Sequence, residues 1–337
     1  MASFEFLKRR NVTPTDGGAS APSSPNESST RNSYQPFVDT AAATCTLLDG
    51  RKIGYTQYGS PTGKPIFFLH GLPGSRIEAA HLDEAGKRHN ARVIGIDRPG
   101  IGLSTAQPGR TIVSAAHDVD RLATHLDIPS YGVLGVSGGG PPALACAATL
   151  PPDRLKAVSI VCGLGLGGMP LTGMGWMNWL GFRFGWHWVP TLSANYVERE
   201  GFLGLPEEER YRRAEQKFSS FKDPRDREAF VNPGGILPIF LTSIKEAFRQ
   251  GTQGVATEGW TLVQPAGFEV EGIRKDLPVQ LWYGKDDKNV GMVGELIAER
   301  LGERGDVRYH LTDDTHASIF ARNKDGFVKE LVESMGD

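Results

Sequence analysis

Residues 131–152 read "YGVLGVSGGGPPALACAATLPP". An apolar run stops abruptly at Ser137, and glycines, prolines and an alanine-rich stretch follow. A short continuous apolar run is the signature of a strand buried on both faces. The sequence therefore predicts a strand over 131–136, a sharp turn at Ser137 and a helix over 139–149. The turn itself, Gly135-Val136-Ser137-Gly138-Gly139, fits the pattern G-x-S-x-G. A side chain lifted out of a sheet on such a turn needs strained backbone angles. Large residues two places before and after it would clash, so glycine suits both positions. The start of the following helix aims N–H groups at any negative charge that develops there. An incidental serine in a glycine-rich turn is the plainer reading. The strand before it and the helix after it favour a nucleophile.

Outward from this stretch, strands and helices alternate. "CTLLDGRKIGYTQYG" reads as two strands around an Asp49-Gly50 turn. "PIFFLHG" and "ARVIGIDRPG" are short buried strands, with a helix expected over 76–89 between them. "TIVSAAHDVDRLATHLDI" has helical periodicity, and a strand is expected over 155–161. Alternation stops after Cys162 and resumes with strands over 278–284 and 306–312 and helices over 291–303 and 319–335. Such alternation calls for a mostly parallel sheet with helices on both faces. Residues 41–162 and 266–337 are expected to form one α/β core. Residues 163–265 are expected to be a mainly helical insertion.

Composition narrows the function. The chain has 337 residues, 39% of them hydrophobic, and a net charge of −2. That balance gives no electrostatic footprint for nucleic acid or an anionic membrane. Cys45, Cys146 and Cys162 lack metal-ligand spacing, and so sparse and odd a set fits a reducing, cytoplasmic setting rather than a disulfide framework. Residues 1–40 are rich in Ser, Pro, Asn and Thr and are expected to be a flexible tail. Lys8, Arg9 and Arg10 hint at an organelle-targeting segment, but Glu5, Asp16 and Glu27 oppose that reading.

A serine hydroxyl needs a base to take its proton and a third group to orient that base. In this architecture the chain order is serine, acid, histidine. Downstream of Ser137 stand His187, His310 and His316. His187 lies within the insertion, and His310 lies inside a strand. His316, in "TDDTHAS", sits in a polar loop after a strand and before the last helix, where a base must be. For the acid, "LWYGKDDKNVG" offers Asp286 and Asp287.

Residues from about 45 to 335 resemble the α/β-hydrolase superfamily in its cap-bearing branch. "FFLHGLPGSR" resembles its HGxPG segment, and "VIGIDRPGIGLS" resembles its D-x-P-G-x-G-x-S stretch. "GVSGGGPPALACA" resembles its nucleophile elbow; "GKDDKNV" and "DDTHAS" complete the order. The resemblance implies Ser137 as nucleophile and His316 as base. It implies Asp287 as acid, because Gly284, Asp287 and Val290 match G-x-x-D-x-x-V, with Asp286 a solvated neighbour. It also implies that the backbone N–H groups of Leu72 and Gly138 form the oxyanion hole. His70 then shapes the loop, and Asp97 holds the "DRPG" turn.

Departures from family patterns narrow the activity. A serine nucleophile disfavours epoxide hydrolases and haloalkane dehalogenases, which use aspartate. Leu72 and Gly138-Gly139 disagree with the HGGPG and Trp-Gly that proline iminopeptidases usually carry. The expected activity is hydrolysis of a carboxylic ester, thioester or lactone, with no metal and no cofactor required. An acyltransferase or cyclase using the same acyl-enzyme is an alternative; a non-catalytic ligand-binding relative is another. The insertion holds "GLGLGGMPLTGMGWMNWLGFRFGWHWVP". Asn178, Arg183 and His187 break its apolar run, which argues against a membrane span. Trp176, Trp179, Trp186 and Trp188 are expected to supply the cap's core and part of a pocket for a hydrophobic small-molecule substrate.

Overall fold

The computed structural model describes residues 37–302 and 306–336. Most of the expected tail, residues 1–36, lies outside the described residues. Eight strands form one sheet. In chain order the first part runs β1 (Ala43–Thr46), β2 (Lys52–Gly59), β3 (Lys64–Leu69), α1 (Asp83–Arg88), β4 (Ala91–Ile96), α2 (Ile112–His125), β5 (Tyr131–Val136), α3 (Gly140–Thr149) and β6 (Leu155–Val161). The helix expected over 76–89 divides into a 3₁₀ segment, Arg76–Leu82, followed by α1.

The cap region follows as α4 (Trp176–Leu180), α5 (Trp186–Trp188), α6 (Pro190–Glu200), α7 (Glu207–Ser219), α8 (Pro224–Val231), α9 (Leu237–Ala247) and α10 (Thr252–Val263). The sheet then resumes with β7 (Val279–Gly284), α11 (Val293–Leu301), β8 (Val307–Thr312) and α12 (His316–Ser334). The last helix begins three residues earlier than its periodicity predicts. Thr315 caps it by accepting a hydrogen bond from the Ser318 N–H, and the Ser318 hydroxyl in turn accepts from the Thr315 N–H. His316 is therefore the first residue of α12 and not part of the preceding loop.

The strand order is β1-β2-β4-β3-β5-β6-β7-β8. β1 and β2 pair antiparallel; every pair from β4 to β8 is parallel. Every residue of β5 and β7 is buried, as expected of strands covered on both faces. One apolar core packs α2, α3 and α11 on one face, and a second packs α1 and α12 on the other. β3 lies between β4 and β5, so the chain winds away from it in both directions. Open α/β sheets bind ligands in the crevice at such a switch point, outside the carboxyl ends of the strands. Here those ends are Leu69 and Val136.

Contacts between elements hold this crevice. Arg76 is buried and pairs with Asp39 at 3.0 Å, Asp97 at 2.7 Å and Glu246 of α9 at 2.7 Å. One guanidinium thus joins the start of the described chain, the turn after β4 and the cap region. The turn between β5 and α3 is packed backbone to backbone. A Cβ on Gly139 would fall 2.0 Å from the Leu69 carbonyl oxygen, and one on Gly135 would fall 2.3 Å from the Gly139 oxygen. Gly139→Ala is accordingly expected to destabilise the fold by at least the upper end of the overpacking range of about 1–3 kcal/mol. Urea denaturation checks this; an unchanged midpoint would contradict the packing described.

Candidate active site

Ser137 stands at the end of β5 with φ +52, in the left-handed region that few residues other than glycine adopt. Holding a serine there has a cost that the surrounding packing must offset. Its Oγ lies 3.1 Å from Nε2 of His316, and Nδ1 of His316 lies 2.8 Å from Oδ2 of Asp287. The structure therefore brings Ser137, His316 and Asp287 into one hydrogen-bonded chain across the ends of β5, β7 and β8. Asp287 is buried, and its Oδ1 accepts the N–H groups of Asn289 at 2.8 Å and Val290 at 3.2 Å. Those bonds fix the carboxylate in the turn after β7. Burial opposes charging of His316, but the facing Asp287 carboxylate prevails, with help from Cys162. The imidazole is held well above its usual value.

The neighbouring aspartates have other partners. Asp286 is half exposed and pairs with Arg225 of α8 at 2.9 Å. Asp314 accepts from Thr312, Ser318 and Asn323, which makes it a local cap. His310 stacks on Trp282 at 3.8 Å and bonds Glu330, outside this arrangement.

The turn after β3 lies against Ser137. A Cβ on Gly71 would be 3.5 Å from the Ser137 Cβ, and one on Gly138 would be 2.9 Å from the Leu72 nitrogen. Leu72 and Gly138 are thus backbone neighbours beside the serine. His70 is wholly buried, with Nδ1 2.9 Å from the Gly71 carbonyl and Nε2 accepting the Arg98 N–H at 3.4 Å. Burial holds its pKa well below the ordinary value, and nearby Arg98 adds to this. Asp97 accepts the backbone N–H groups of Arg76 and Leu103, so it ties the turn after β4.

Three features of this site have no sequence motif. Glu78 is buried, and its Oε2 accepts the Gly71 N–H at 2.9 Å. Burial pushes its carboxyl up to about 7, against the pull of the Gly71 N–H, Arg98, Ser243 and His316. Arg98 donates to the carbonyls of His70 at 2.7 Å and Gly71 at 3.1 Å, and pairs with buried Glu258 of α10 at 2.6 Å. Arg110 pairs with the other Glu258 oxygen. Burial raises the Glu258 pKa, but Arg110 and Arg98 outweigh it and hold the group down to about 2. The turn beside Ser137 is thereby fastened to the cap region by an ion pair whose partners lie 160 residues apart. The third feature is Cys162 at the end of β6, one of three ionisable side chains whose ligand atoms cluster with those of Asp287 and His316.

A cavity of about 550 Å³ opens between the core and the cap region. Leu164 lines it, and the Leu164 N–H donates to the Ser137 carbonyl at 2.9 Å. Met174, Phe182 and Val290 are among its apolar walls; among the described residues, Arg183 and His187 are its ionisable groups and no carboxylate lines it. The structure departs from the expectation for the tryptophans. Trp179 borders the cavity, whereas Trp186 is buried against Gly259 in a small cap core. Trp176 and Trp188 face outward, 70% and 72% exposed. Helical phase separates Trp186 from Trp188, two residues apart in α5; Trp176 and Trp179 stand three apart in α4, and only what faces each of them tells them apart.

Comparison with known proteins agrees with the architecture. A profile described as alpha/beta hydrolase fold matches residues 64–202. The chain has the α/β-hydrolase fold with a helical cap insertion. Among solved structures it is similar to an enol-lactonase from Burkholderia xenovorans LB400, with a TM-score of 0.62 and 21% identity over 88% of this chain and all of that one. A thermophilic esterase from Thermogutta terrifontis superposes with a TM-score of 0.61 and 19% identity over 88% of this chain and 99% of that one. Among curated sequences, the proline iminopeptidase of Xylella fastidiosa (strain 9a5c) is 33% identical over 33% of this chain and 36% of its own length. A probable proline iminopeptidase of Leptolyngbya boryana is 32% identical over 47% of this chain and 46% of its own length. These sequence matches thus span less than half of either relative. Among the described residues, no helix is long and apolar enough to cross a membrane.

Removing Glu258 would strand two buried arginines without a counter-charge. Glu258→Gln is expected to cost about 3–5 kcal/mol of stability, the usual range for breaking a buried pair. Chemical denaturation checks this; a loss within experimental scatter would show that the pair does not bind cap to core.

Proposed function

We propose that the protein is a serine hydrolase that cleaves a carboxylic ester, thioester or lactone of a hydrophobic small molecule through an acyl-enzyme. The observation that carries this reading is the hydrogen-bonded chain Ser137–His316–Asp287, at 3.1 Å and 2.8 Å. Ser137 Oγ attacks the carbonyl carbon as His316 Nε2 takes its proton. Asp287 keeps the remaining imidazole proton on Nδ1 and stabilises the imidazolium. The N–H groups of Leu72 and Gly138 receive the oxyanion; such donors are each worth about 2.7–4 kcal/mol in the transition state. The imidazolium then protonates the leaving oxygen or sulfur. Water attacks the acyl-enzyme by the same steps in reverse roles, releasing the acid and restoring Ser137.

Ser137 and His316 do not line the cavity, which adjoins them through Leu164 and Val290; its aliphatic and aromatic walls support an apolar acyl or lactone group. The curated relatives named proline iminopeptidase raise a second reading, cleavage of an N-terminal proline. A substrate ammonium would need an anionic partner; among the described residues the cavity lining offers none, and Glu78 near the serine is buried and already accepts the Gly71 N–H. The absence of the Trp-Gly pair after Ser137 also favours the ester reading. Parallel assays of p-nitrophenyl esters and prolyl p-nitroanilide separate the two. Faster turnover of the anilide would replace the ester reading with the peptidase one.

Ser137→Ala is expected to lower the acyl-transfer rate by roughly four to six orders of magnitude and to abolish fluorophosphonate labelling, with the fold retained. Asp287→Asn should lose about 10⁴-fold in kcat through the wrong imidazole tautomer, and Asp286→Asn should change little. Normal labelling of the alanine variant, or equal losses at 286 and 287, would overturn these roles.

The base works only when His316 is neutral, and Asp287 favours its charged form. The rise of kcat/KM with pH should therefore be centred above the ordinary histidine value of about 6.5. Chain-length preference should respond to Phe182 and Met174, which line the cavity, more than to Trp176 or Trp188. Each buried methylene contributes up to about 0.8 kcal/mol until the space is full. A pH profile centred below the ordinary histidine value, or identical chain-length profiles for Phe182→Ala and the parent, would count against this account.

A further inference from the structure

Cys162 directly follows β6, near the imidazole of His316. It is buried, and its φ of +41 puts a β-carbon in the left-handed region. Its backbone is pinned by a bond from its N–H to the Trp282 carbonyl at 2.8 Å. Backbone strain of this kind persists only where the surroundings enforce it. The hydrolytic steps above do not use the thiol. Yet one ligand atom each from Cys162, Asp287 and His316 lies within 4.8 Å of the others. Among the described residues this is the sole such cluster of three.

We propose that Cys162, Asp287 and His316 form a binding site for a borderline-soft divalent cation, Zn²⁺ above all, and that its occupation switches the enzyme off. The donor set is the first argument. A thiolate selects against Mg²⁺ and Ca²⁺, and sulfur, imidazole and carboxylate together suit Zn²⁺. Size is the second argument. Ligand distances of about 2.0–2.3 Å around a tetrahedral Zn²⁺ put donors roughly 3.3–3.8 Å apart. The three ligand atoms lie within 4.8 Å of one another, so reaching that spacing asks for a change of at most about 1–1.5 Å between any pair. Charge is the third. A thiolate and a carboxylate neutralise the dication in a buried setting, where net charge is costly.

Coordination accounts for the switch. The Cys162 thiol releases its proton to solvent as the S–metal bond forms. The metal takes the lone pair of His316 Nδ1, which now faces Asp287, so the single proton of the neutral ring moves to Nε2. An Nε2–H can donate to Ser137 but cannot accept its proton. Asp287 is drawn onto the metal and no longer orients the ring. Metal binding itself is independent of the hydrolase reading; the inhibitory half rests on it.

The test uses the full chain and two readouts. Co²⁺, as a spectroscopic stand-in, should give a thiolate-to-cobalt charge-transfer absorption that Zn²⁺ displaces. Cys162→Ser and Cys162→Ala should both lose this band while retaining their circular dichroism spectrum. Zn²⁺ should inhibit p-nitrophenyl acetate hydrolysis reversibly, with relief by a chelator. Loss of the thiolate should weaken that inhibition by about 100-fold or more, since even outer-sphere partners are worth about 10–100-fold in metal affinity. Absence of the band from the parent protein overturns the site, whatever the variants do. Persistence of the band in either folded variant also overturns it, because the thiolate would then be Cys45 or Cys146. A band that requires Cys162, with ester hydrolysis insensitive to Zn²⁺, upholds the site and overturns the switch. A parent protein without any ester hydrolysis overturns the hydrolase reading and its switch, and leaves the cobalt result to stand alone.

Discussion

The constraint on which this site depends is the close approach of two backbones at the end of the sheet. Gly139 passes the Leu69 carbonyl so closely that a Cβ there would fall 2.0 Å from the oxygen. This approach lets β5 turn at once into α3 and keeps Ser137 in its left-handed conformation. It also sets the turn after β3 against the serine, with Leu72 nitrogen beside Gly138. The switch in strand order at β3 supplies the crevice. Side chains with larger Cβ groups would push the two strand ends apart and remove the site before any chemistry was lost.

Around that contact the structure places charges where water cannot relax them. Arg98 holds the carbonyls of His70 and Gly71 and is neutralised by Glu258 of α10. Arg76 does the same for Asp97, Asp39 and Glu246. In a low-dielectric interior, partners left alone are costly, so these pairs specify position more than they add stability. They make the cap region and the turn beside Ser137 parts of one arrangement. The small cap core that holds Trp186 reaches Leu72 as well. A change in cap packing is therefore transmitted to the backbone groups that face the serine.

Part of this was legible in the chain alone. The alternation of short continuous apolar runs, which suit strands buried on both faces, with stretches of 3.6-residue period announced the parallel sheet. The G-x-S-x-G spacing announced the turn at Ser137, because the steric demand falls on fixed positions. His316 stood out by its place after the last strand, whereas the choice of Asp287 over Asp286 came from the resemblance to the α/β-hydrolase G-x-x-D-x-x-V pattern. The start of α12 was missed by periodicity, although Thr315 and Ser318 carried a cap signal. The 3₁₀ segment at Arg76–Leu82 was not legible, since bonds from the Gly71 N–H to Glu78 and from Arg76 to Asp97 shape it.

The sequence by itself determined the sheet and the sharp turn at Ser137. Each rests on local sterics or on periodicity, which act over a few residues. Only the tertiary structure decided which partners meet across long separations. Glu258 joins Arg98, and Cys162 comes to lie beside His316 and Asp287. It also decided that Trp179 borders the cavity, that Trp186 packs inside the cap, and that Trp176 and Trp188 face outward. The four tryptophans are alike in composition and hydrophobicity. Their fates differ because helix phase and the shape of the facing surface, here Gly259, are set by the whole fold and not by the residues alongside them.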